Sequence, residues 1–98
     1  MERNFDGREM KEMLAALRRA LGAKQHAYRT TFNGPLAQIV LKDLARFCRA
    51  HESTFEGDPR GHAQLEGRRE VWLRIQEQLR LTPEQLWALY QERTQEGE

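Results

Sequence analysis

Little in this sequence narrows its function, and most of what is missing excludes something. A single cysteine in 98 residues, Cys48, rules out an intrachain disulfide, and with no secretory segment at the start it points to a reducing compartment. No apolar run is longer than the five residues of Met13–Leu17, too short for a signal segment of roughly 7–15 residues or a membrane span of about 20. Neither sign of charge dominates. Sixteen basic and fifteen acidic residues leave +1, too little to draw the chain to nucleic acid or a membrane unless the charge is locally concentrated. The basic excess is N-terminal, with seven Lys/Arg against four Asp/Glu in residues 1–30, three against four in 31–58 and six against seven in 59–98. There is no internal repeat, low-complexity tract, interdomain linker or glycine-rich loop of the kind that cradles phosphate. The expectation is a soluble protein, cytoplasmic or enclosed in an assembly.

What is present is helical. A chain that is 39% hydrophobic and 32% charged has ordinary globular composition, and its length suits one domain with little stability margin. Met10, Met13, Leu14, Leu17 and Leu21 recur at three and four, with Arg8, Lys11, Glu12, Arg18 and Arg19 off that stripe. Gly22 is expected to break or bend this first helix, which otherwise continues through Ala23, Ala27 and Tyr28 to about Arg29. The stretch Thr30–Pro35 reads as a connection. A second helix follows from Leu36 to Ala50. Its stripe of Leu36, Val40, Leu44, Phe47 and Cys48, widened by Ile39 and Leu41, makes it the expected central core helix.

Residues 51–57 lose the period, and Phe55 is expected to fold back as an anchor; Phe5 could dock in the same way. Asp58-Pro59 then starts a third helix, with aspartate as cap and proline where no N–H partner is needed. Its apolar side is Leu65, Trp72, Ile75 and Leu79, broadened by Val71. Thr82-Pro83-Glu84-Gln85 forms a capping box for a fourth helix, which buries Leu86, Leu89 and Tyr90 and keeps Trp87 near its edge. The fold expected is all-α: one four-helix domain over residues 1–98, orthogonal or bundle-like, with 1–7 and 94–98 fraying.

The candidate chemistry is thin. The last two helices suggest a helix-turn-helix, but the second would present Glu84, Gln85, Gln91 and Glu92 with only a late Arg93, which phosphates would repel. Arg18, Arg19, Lys24 and Arg29, with His26 and Tyr28 among them, form a better nucleic-acid strip, set against the simpler reading of a solvated face. Cys48, His51 and His62 lack the second ligand pair of a structural zinc site, so no metal is expected and both histidines should be exposed. Cys48 with His51 is the only local nucleophile–base pair, and burial of Cys48 on the apolar stripe would make its thiol inert. Glu66 and Glu70, bracketed by Arg68 and Arg69, should stay ionised instead of serving as acids. No catalytic residue and no cofactor are expected. In Glu66-Gly67-Arg68-Arg69-Glu70 the glycine could admit another backbone, the glutamates could pair with Arg69 and Arg74, and an arginine could bind a carboxylate or helix-end carbonyls.

Tyr28-Arg29-Thr30-Thr31-Phe32, Val40-Leu41-Lys42-Asp43-Leu44 with Phe47-Cys48, Thr54-Phe55, Asp58-Pro59 and Glu66-Gly67-Arg68-Arg69 resemble a small, functionally uncharacterised domain family of tailed phages and prophages. Its members are encoded among head and structural genes. The resemblance covers Tyr28–Leu81 and offers no catalytic residues to carry over. It implies a virion or assembly role in the host cytoplasm or the particle, with a phage structural protein or a host protein as partner, and with a homo-oligomer also open. Arg68, Arg69, Arg74 and Trp87 are the candidate partner-binding residues, because arginine and aromatics are enriched at interface hot spots. A nucleic-acid-binding module or phage effector is the alternative.

Overall fold

A computed structural model of the chain describes residues 6–53 and 57–96. It contains four helices, α1 (Gly7–Thr31), α2 (Pro35–Phe47), α3 (Pro59–Arg80) and α4 (Pro83–Glu96), and no strand among the described residues. The protein is a small all-α domain. Phe5 and Phe55, the two expected anchors, lie outside the described residues.

The helix starts follow the capping chemistry of the sequence. Asp6 accepts a hydrogen bond from the Glu9 N–H at 2.8 Å, opening α1. Asp58 accepts from the N–H groups of Arg60 and Gly61, with Pro59 as the first residue of α3. Thr82 and Gln85 exchange side-chain bonds at 3.0 and 3.1 Å, completing the expected capping box of α4. Among the described residues the first helix begins at Gly7 and the last ends at Glu96.

Three features depart from the sequence expectation. Gly22 neither breaks nor ends α1, which runs uninterrupted for 25 residues. One glycine costs a helix about 1 kcal/mol relative to alanine, and good helix formers on both sides outweigh it. Thr30 and Thr31 consequently belong to α1, and the connection shrinks to Phe32, Asn33 and Gly34. Gly34 turns the chain at φ 93°, a left-handed value that glycine adopts freely.

The second departure is the position of α2. It is peripheral, packed on α3, while α3 also receives α1, and α4 rests on α1. The centre is therefore the α1–α3 pair, each member of which carries one further helix. The third is which side of α2 faces inward. Ala37, Leu41 and Cys48 are buried and Leu44 and Ala45 half-buried, whereas Leu36, Ile39, Val40 and Phe47 point outward. The side turned toward α3 thus carries the smaller residues Ala37, Ala45 and Cys48 beside Leu41 and Leu44. On α3, Leu65 and Ile75 are buried and Trp72 and Leu79 half-buried, but Val71 faces solvent instead of widening the core stripe. Leu86 is buried on α4, with Leu89, Tyr90 and Trp87 half-buried.

Candidate functional site

The polar residues most firmly placed by the fold sit at helix ends. The last carbonyls of a helix have no partner within it, and at the end of α3 they are supplied from α1. Gln25 Nε2 donates to the carbonyls of Gln78 at 3.2 Å and Leu81 at 2.7 Å. Arg29, one turn on, donates to the same two oxygens through Nε at 3.2 Å and Nη2 at 2.6 Å. Gln25 is only 3% exposed. This clamp fixes α1 across the point where the chain turns from α3 into α4. Beneath it lies Gln78, also buried, whose Oε1 has no hydrogen-bond partner.

A second clamp ties α2 to α3. Beyond Cys48 the chain reverses with Arg49 in the left-handed region at φ 50° and the Ala50 N–H bonded to the Ala45 carbonyl at 2.9 Å. Arg69 Nη1 lies 3.4 Å from each of the carbonyls of Arg49, Ala50 and Glu52 and donates into that group. Of the contacts expected for the arginine pentad, one to carbonyls just past a helix end is formed, by Arg69. Next to it the Arg68 guanidinium sits 4.3 Å from the Phe47 ring centroid, a cation–π contact.

Of the four candidate partner-binding residues, Arg68 and Arg69 thus serve the α2–α3 junction. Trp87 stacks with Tyr90 at 5.8 Å and lies under Arg18 at 5.7 Å. Arg74 has no ion-pair partner among the described residues. It stands between a mainly apolar groove lined by Tyr28, Phe32, Val71 and Ile75 and a polar one lined by Gly67, Glu70, Glu77 and Arg93. The pairing of Glu70 with Arg74 is not formed. No atom approaches the position a side chain would take at Gly67, so within one chain the glycine admits no second backbone.

The nucleic-acid strip is divided by the same contacts. Arg29 is committed to the α3 carbonyls and Arg18 to Trp87, leaving Arg19 and Lys24 exposed. Arg93, the single cation of α4, forms a bidentate pair with Glu77 at 2.6 and 3.2 Å. That hydrogen bonding raises the guanidinium above its already high ordinary pKa. Cys48 is buried, His51 is exposed, and His62 is half-buried instead of exposed. Among the described residues, no three His, Cys, Asp or Glu side chains gather as metal ligands. No helix is long and apolar enough to cross a membrane among those residues.

The sequence reading missed Gln25 and Gln78, and it had a signal for the first. Leu21, Gln25, Tyr28 and Phe32 continue the α1 stripe at four, three and four, so an amide occupies a core position. A polar residue there needs a buried partner, and the unpaired end of α3 provides it.

The fold and these contacts define a small all-α domain in which side chains from one helix close the ends of another. Residues 28–91 match the family model of the Bbp19-like phage protein, and the chain belongs to that family. The match runs beyond Leu81 to take in the capping box and most of α4, and it begins inside α1. No curated protein and no solved structure matches the chain.

Proposed function

We propose that this protein is a non-enzymatic component of phage structure or assembly that works through protein–protein contacts, in the host cytoplasm, the virion or both. The observation that carries this reading is the outward apolar face of α2, with Leu36 78%, Ile39 64%, Phe47 55% and Val40 49% exposed. Apolar patches on that scale mark interaction sites more often than inert surface. Membership in a phage family supplies the setting. Arg74 on α3 and Trp87 on α4 are further candidate contact residues away from this face, whereas Arg69 already serves the fold. The nucleic-acid alternative loses support because two of its four cations have partners within the domain.

Mass spectrometry of purified particles from a phage encoding this chain tests the proposal. Peptides from it are expected at stoichiometric levels if it is a virion component. Absence from mature particles and also from assembly intermediates isolated from infected cells would reject the structural and assembly reading.

A further inference from the structure

We propose that the outer face of α2 is covered by a second copy of this chain. The inference deepens the contact reading above by naming the partner, and it rests first on area. A compact monomer of 11.6 kDa should expose about 5,800 Å²; this chain exposes 7898 Å². The excess of about 2,000 Å² is spread over the whole chain, where Met10, Met13, Leu14, Val71 and Leu73 are exposed as well, and it leaves room for the roughly 1,000–2,500 Å² that each subunit of an obligate dimer withdraws from water.

Shape gives the same answer. The radius of gyration is 17.6 Å, against about 13 Å for a compact chain of this length. The molecule measures 50 × 37 × 20 Å, and its least dimension is about two helix diameters. Among the described residues no side chain is completely enclosed. A groove of about 520 Å³, lined by Phe32, Leu41, Ala45, Trp72 and Leu79 among others, persists where α1, α2 and α3 meet. One chain therefore completes only part of a core.

The chemistry of the face suits a copy of itself. Leu36, Ile39, Val40 and Phe47 fall on one stripe of α2, Asp43 lies on the same stripe, and Lys42 and Arg46 run along one of its edges. In a two-fold pairing each stripe meets its own equivalent, so the apolar residues face apolar residues. The same symmetry supplies both signs of charge at the rim, allowing Asp43 of one copy to meet a base of the other. α2 is also apolar over about half its circumference, which suits a helix buried on two sides.

The test uses the full chain. Sedimentation equilibrium at micromolar concentration should give twice the 11.6 kDa chain mass or a higher even multiple, and Ile39→Glu should reduce it to the chain mass. Because a charged variant could also unfold, cysteine substitution provides a second measurement. At least one of Leu36→Cys, Ile39→Cys and Val40→Cys should give a disulfide-linked pair under mild oxidation, while Glu84→Cys on α4 should not. A wild-type mass of one chain throughout, an assembled mass indifferent to Ile39→Glu, or no cross-link at any of the three positions would overturn the proposal. A monomer found in purified virions would reject self-association while leaving the structural reading intact.

Discussion

Among single residues, the two buried glutamines should respond to substitution in opposite directions. Gln25 uses its amide N–H groups on two helix-end carbonyls, so Gln25→Ala should lower stability by about 1–2 kcal/mol, moderated because Arg29 still reaches both oxygens. Gln78 keeps a buried Oε1 without a partner. Gln78→Met preserves volume and removes that unpaired acceptor, and it should be neutral or stabilising by up to about 1 kcal/mol. Urea unfolding of the two variants beside wild type checks both, and a loss of stability in Gln78→Met would show that its amide has a role in the fold. Arg69 was legible as a residue able to bind helix-end carbonyls, but the particular carbonyls were not. They belong to the turn after Cys48, whose left-handed residue is an arginine instead of the glycine that would advertise such an ending.

At the level of helices, the starts were easier to read than the faces. Asp58-Pro59 and Thr82-Pro83-Glu84-Gln85 act within four residues, and local sequence was sufficient for both. Thr82→Ala removes the cap of α4 and should cost about 1 kcal/mol; a thermal midpoint equal to wild type would show that α4 is held by packing alone. The inward side of α2 was not legible because apolar residues occupy two adjoining faces. The larger residues suggested a core stripe, yet the face that carries Ala37 and Ala45 is the one turned inward. To the helix formers that carry α1 through Gly22 the fold adds a non-local hold: its second half is tied to the end of α3 by Gln25 and Arg29, which lie beyond the glycine.

For the molecule as a whole, composition and period were enough for an all-α domain, and the resemblance was enough for its phage family. They could not give the packing order, because the basis for it lies in contacts between residues roughly fifty positions apart, such as Gln25 with Leu81. If two chains share a core, the thermal midpoint should rise with protein concentration, since association stabilises the folded state by mass action. A midpoint constant across a hundredfold dilution, about two decades of mass action, would mean that one chain carries its full stability. The α1 clamp also bears on where the protein can be shortened. The family match starts at Tyr28, so a fragment cut at that boundary would retain Arg29 but discard Gln25 and the preceding turns of a continuous helix. The family border thus falls between the two side chains that close the end of α3, and a fragment that begins there is expected to be less stable than the full chain.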